Sequence, residues 1–374
     1  MDSGFSIENA VALRLILNDM CFARRYLQGA VDRATEQQIH VVNLSMMRYL
    51  SLYVHESHQA LTTVLPELAA LLEVDNGYVI ERSRHTVKLF DDTHPQFGGA
   101  IGVTSQLGGI AEAHRDYFLD NTWFPPARVL ETDMATYRYR GRLIGTTSTL
   151  AFHLGLPPEL ISDDKAMGQA LLSLARGLAA YISRAASFVP WEGPSFMDVI
   201  DLHAVKNKDI RAIKFYEGTF DPSLSNEARA ALAAFQCAVN FLALIVAEEP
   251  NADSAEAVFK LKLIVLYHVL SSLTKFEAAF GPFLDPAASS ALAAILDHPT
   301  ARLLTDTSGR GLRNTLMHYR PSSPVAAQLS KDQPLCGLVE VYYPSYDFTG
   351  MTKLVDEHTR LVAESLDDWA GNGR

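Results

Sequence analysis

Residues 225–280 read SNEARAALAAFQCAVNFLALIVAEEPNADSAEAVFKLKLIVLYHVLSSLTKFEAAF. The spacing predicts two long helices with a short break between them. The first covers about Ser225 to Glu248 and is followed by Pro250. Asn251, Asp253 and Ser254 are capping types for the second, which runs from about Ala255 to Phe280 and ends at Gly281-Pro282. The apolar run from Ala230 to Ala247 is long enough to cross a membrane. It is Ala-rich, contains Gln236 and Asn240, and is followed by Glu248 and Glu249 rather than Lys or Arg. It therefore reads as a core helix, and no membrane span is expected.

Working outward, a short helix is predicted over Pro286 to Leu296. Thr307, Ser308 and Gly309 then precede a helical segment carrying Arg313 and His318, which Pro321 stops. A long loop follows, and a last helix runs from about Met351 to Trp369. Four main helices with apolar faces point to a helical bundle over 220–374. Upstream, 1–215 reads as a mainly helical domain of unknown role, with two long helices between about 6 and 73. Residues 74–150 look like a small irregular or β-containing insert. Tyr78-Val79-Ile80 and Tyr137 to Arg140 are candidate strands there, and Gly98 to Gly109 is read as a turn-rich loop. Pro157-Pro158-Glu159 looks like a helix start, and Ala166 to Ala186 is an amphipathic run. The Pro- and Gly-richer stretch 187–224 is the candidate boundary. The fold class is thus mostly all-α.

Of 374 residues, 48% are hydrophobic and 20% charged, which is globular rather than disordered composition. A net charge of -11 argues against broad binding to nucleic acid or anionic membranes, while leaving room for a local phosphate site. Cys21, Cys237 and Cys336 are odd in number and far apart, so neither a disulfide framework nor a CxxC zinc pattern is expected. A reducing cytoplasm fits this, and MDSGFSIENA shows no signal-peptide pattern.

The chemistry concentrates in Arg313-Asn314-Thr315-Leu316-Met317-His318. Asn314 and His318 are four apart and share a helical face, whereas Arg313 and His318 point about 140° apart on an ideal helix. Arg313 is long enough to bend toward the same site. Cleavage of RNA by its own 2'-OH needs a base, an acid and a cation. His318 suits either proton-transfer role, and Arg313 suits the cation. Asn314 is placed to orient the imidazole or contact a phosphate oxygen. Arg310 and Arg320 add positive charge for substrate binding. One histidine cannot readily serve as acid and base together, and a symmetric dimer would bring a second.

Arg313-Asn314-x-x-x-His318 on a late bundle helix resembles the RN-x-x-x-H signature of the HEPN superfamily. The resemblance covers about 220–374 only. It implies an all-helical, commonly dimeric, often metal-independent endoribonuclease of defence, toxin–antitoxin or stress settings, requiring no cofactor. Arg313, Asn314 and His318 fall on the family's catalytic positions. A polar residue from an earlier helix often joins that site, and Glu277, His268 and Ser272 are open candidates. Many members have lost catalysis, so the alternative is an inactive helical module that dimerises or binds a regulatory partner. The loose Arg-to-His spacing also occurs at Arg33 to His40 and Arg48 to His55, and requiring the Asn narrows chance matches roughly 20-fold.

Other motifs read as structural. His55 and His58 are three apart, unlike the HExxH zinc pattern, and no third ligand is identifiable. Arg48 and His55 lie on one face and mark at most a degenerate second site. Gly98 to Gly109 lacks the Lys-Ser/Thr of a phosphate loop. Asp91-Asp92 and Asp163-Asp164 have no second acidic motif at useful spacing, and Cys237 is packing.

Overall fold

The computed structural model describes residues 6–72, 74, 77–94 and 98–372. The protein is 74% helix and 5% strand. Among the described residues, ten helices have eight residues or more. They are α1 (Ile7–Asp32), α2 (Ile39–Val64), α3 (Gly77–His85), α4 (Gly99–Phe118), α5 (Asp164–Ala186), α6 (Asn226–Leu244), α7 (Ala255–Phe280), α8 (Pro286–Leu296), α9 (Thr307–His318) and α10 (Phe348–Asn372).

The Ala- and Leu-rich pair α6 and α7 forms the centre, because both are apolar nearly all round and must be covered on every side. Every residue of α6 from Ala228 to Leu242 is buried. Helices α4 and α10 pack on α6, while α9, α10 and α1 pack on α7. Ser225 caps α6 by accepting from the Ala228 amide at 3.3 Å. Both α6 and α7 are long and apolar enough to cross a membrane, yet 83% of each apolar window is buried inside the fold. One hydrophobic cluster runs from Val11 to Ala370 and takes in residues on both sides of 215–220.

A three-stranded antiparallel sheet in the order β2-β1-β3 sits beside α6. It comprises β1 (Met134–Tyr139), β2 (Arg142–Thr146) and β3 (Val205–Ile210). Tyr139 pairs with Arg142 on one side and with Val205 on the other. The β1–β2 turn, Arg140-Gly141, has positive φ at both residues (50° and 85°), as a two-residue hairpin of this hand demands.

Several sequence expectations are revised. Tyr78-Val79-Ile80 lies in α3 rather than a strand, where Ile80 is buried and α3 packs along α2. Gly99 to Gly109 belongs to α4, so the glycines are not a loop. Gly108 and Gly109 instead allow close approach, since a Cβ there would come 3.1 Å from Glu227 and 3.3 Å from Pro158. A short helix, Pro299–Thr305, was not anticipated. The 187–224 stretch holds two short α-helices, a 3-10 turn and β3, and the loop before α10 holds the short α-helices Ser323–Ala326 and Leu338–Tyr342 and the 3-10 turn Pro334–Gly337. Helix α9 begins before Gly309, with Asp306 accepting from the Gly309 amide at 2.8 Å. A Cβ on Gly309 would lie 1.9 Å from the Leu304 carbonyl oxygen, so only glycine lets Pro299–Thr305 and α9 meet this closely.

Candidate functional site

Helix α9 ends at His318 because the next residue, Tyr319, adopts a left-handed conformation (φ 55°, ψ 27°) and Pro321 follows two residues on. Tyr319 is fully buried and locked from two sides. Its hydroxyl donates to Asp19 Oδ2 of α1 at 2.7 Å, and the Lys260 ammonium of α7 sits 3.6 Å from its ring centre. Lys260 and Asp19 form a buried ion pair. Burial pushes the Asp19 carboxyl up and the Lys260 ammonium down, and their mutual attraction opposes both shifts. This lock fixes where α9 stops and where its last side chain emerges.

His318 emerges beside α2. Its Nδ1 lies 2.7 Å from Glu56 Oε2. Glu56 is 4% exposed, and its other oxygen receives Arg84 of α3. Burial pushes the Glu56 pKa up, but the His318 hydrogen bond and the Arg84 charge override it and hold the pKa down at about 2. An ionised carboxylate only accepts, so His318 donates through Nδ1. Nε2 is left to accept or release a proton, with no partner among the described residues, and the side chain is 41% exposed.

The three elements enclose an open groove of about 740 Å³. From α2 come His55, Glu56, Gln59 and Ala60, from α3 Glu81 and Arg84, and from the end of α9 Asn314, His318 and Arg320. Arg320 is tied across the mouth, donating to the Gln59 carbonyl at 3.1 Å and to Thr63 Oγ1 at 2.5 Å. His55 is half-buried, with no hydrogen-bond partner among the described residues. Its pKa is lowered, first by burial and then by Arg84, with Glu56 and Glu81 opposing.

Three of the sequence candidates, Asn314, His318 and Arg320, therefore share one groove. Arg313 lies beside it. Its guanidinium carbon is 4.3 Å from the Tyr267 ring centre on α7, and its buried Nε has no partner. Exposed Arg310 meets the same Tyr267. The half-buried Lys88, in the 3-10 turn Thr86–Asp91, links the two regions. Burial lowers its pKa, as do Arg84 on one side and Arg313 on the other.

Of the three earlier-helix candidates, His268 lies beside Arg313. It is buried, with its pKa held down at about 4, first by burial, and its Nδ1 is 3.1 Å from Asp91 Oδ2. Ser272 accepts from the Phe90 amide at 3.1 Å. Glu277 lies one residue after the buried Phe276, toward the end of α7. The polar residue that reaches His318 is Glu56. Sequence reasoning missed it because it comes from α2, 262 residues away. His58 does not line the groove; its ring stands 6.2 Å from Tyr181. Arg48 is buried against His153 and Tyr49, away from His55. Among the described residues, no group of three or more His, Cys, Asp or Glu side chains sits together as a metal-ligand set.

Chemically, the groove offers an acid–base imidazole aimed by a carboxylate, an amide beside it, and guanidinium groups at its wall and mouth. No family model matches the chain, nor does any curated protein or solved structure in the comparisons made.

Proposed function

We propose that the chain is a metal-independent endoribonuclease of the HEPN type, acting in a cytoplasmic defence, toxin or stress setting. The observation that carries this reading is the Glu56–His318 pair at the end of an open groove. A carboxylate that fixes the imidazole tautomer leaves Nε2 free for proton transfer at a phosphodiester. Asn314 and Arg320 supply donors for phosphate oxygens, and Lys88 with Arg313 adds positive charge behind Arg84. A bundle built on α6, α7, α9 and α10 is consistent with the family's helical architecture. The acidic surface, at -11, disfavours indiscriminate RNA binding, so the substrate is a particular RNA or the protein works with a partner, including a second copy of itself.

The test is RNA cleavage with chelator present, by wild type and His318→Ala. Wild type should leave 2',3'-cyclic phosphate ends, and the variant should be slower by about 10²–10⁴. Equal cleavage by both would remove the proposal. A second reading, a non-catalytic module that dimerises or binds a partner, draws on the packing of Arg313 over Tyr267, which leaves its guanidinium outside the groove. It predicts no cleavage under any condition.

A further inference from the structure

We infer that His55 is a second catalytic imidazole: it takes the 2'-OH proton while His318 protonates the leaving 5'-oxygen, so that one chain carries both halves of the acid–base reaction. This rests on the ribonuclease reading above and extends it.

Three observations support the assignment. His55 lines the same groove as His318, on helix α2, next in sequence to the Glu56 that holds His318. It has no hydrogen-bond partner among the described residues, so its ring is not committed to holding the fold together. Its surroundings are also asymmetric with those of His318. His55 is partly withdrawn from water and flanked by Arg84 and His85 of α3, with the Glu56 and Glu81 carboxylates opposing their effect. That environment favours the neutral, proton-accepting ring. His318 instead has Glu56 directly on Nδ1, and the two form an ion pair whenever the ring is protonated. That arrangement suits the proton donor. Two like groups in environments that differ in this way divide naturally into base and acid.

The step balances. His55 accepts the proton from the ribose 2'-OH, and the O2'–P bond forms. The P–O5' bond breaks, and the 5'-oxygen takes the proton from His318. The products are a 2',3'-cyclic phosphate and a free 5'-hydroxyl. His55 ends protonated and His318 neutral, and exchange with water restores both.

The experiment compares wild type, His55→Ala and His318→Ala on two substrates. One is the cleaved RNA. The other is a ribonucleoside 3'-(4-nitrophenyl phosphate), whose leaving group departs without a proton. Circular dichroism and thermal melting confirm that each variant is folded. Both variants should lose about 10²–10⁴ on RNA. On the aryl ester, His318→Ala should recover to within about tenfold of wild type, whereas His55→Ala should not. The pH profile of kcat/KM should lose its acidic limb in His55→Ala and its alkaline limb in His318→Ala. The assignment is overturned if His55→Ala cuts RNA as fast as wild type, or if the aryl ester rescues it as fully as His318→Ala. Wild type that cuts neither substrate overturns the ribonuclease reading, and this one with it.

Discussion

Glu56 holds a guanidinium and an imidazole with one carboxylate, and its two oxygens have different tasks. One neutralises Arg84 inside the protein, and the other aims His318 at the groove. The carboxyl pKa is depressed from its ordinary 4.5 to about 2, so its contribution to stability has a definite sign. The contribution is complete above pH 4.5 and disappears as the pH falls toward 2, because the unfolded chain takes up the proton first. A depression of this size corresponds to about 3 kcal/mol. Denaturant unfolding of wild type should weaken across that window, and Glu56→Gln should flatten that part of the profile while lowering stability at pH 7. An unchanged slope in Glu56→Gln would mean that another carboxylate, such as Asp91, dominates acid unfolding.

The key element is α9, and its end is set by contacts from two other helices as well as by Pro321 in its own sequence. Tyr319 holds a left-handed backbone without being glycine, which is stable only because Asp19 and Lys260 over-determine its side chain. Lys260→Met leaves Asp19 charged, buried and short of a partner, and should cost about 3–5 kcal/mol. The Asp19→Leu/Lys260→Met double variant should lose less than Lys260→Met alone, as read from denaturant midpoints. A larger loss in the double variant would show that the charge itself, not its pairing, holds the helix end.

Most long helices could be read from apolar periodicity, which carries α1, α2, α5, α6, α7 and α10. Helix α4 was hidden by glycines that serve close packing on α6 rather than turning, and α3 by a three-residue run too short to distinguish strand from helix. In the candidate site, Asn314, His318 and Arg320 were legible because local spacing brings them together. Glu56, Arg84 and His55 were not recognised as their partners. Pairings between helices more than 200 residues apart leave no periodic mark on a single sequence.

At the scale of the whole molecule, the groove is assembled from both ends of the chain. Helices α2 and α3 supply its carboxylate, its buried guanidinium and the His55 imidazole, and α9 supplies His318. One continuous core underlies both ends. The protein should therefore unfold in a single transition. Two tryptophans test this: Trp191, under the Arg24 guanidinium of α1, and Trp369 of α10, packed edge-on against Phe220. Variants in which Trp123 and one of this pair are replaced should give coincident fluorescence midpoints, and two separate midpoints would divide the chain into independently stable halves.

That assembly also fixes the order in which the groove is completed during synthesis. His55, Glu56 and Arg84 leave the ribosome before His318, which follows 262 residues after Glu56. A chain still being translated carries the receiving half of the groove without the helix that completes it. Under the proposed ribonuclease activity, the nascent polypeptide cannot cut RNA until those 262 residues have been added.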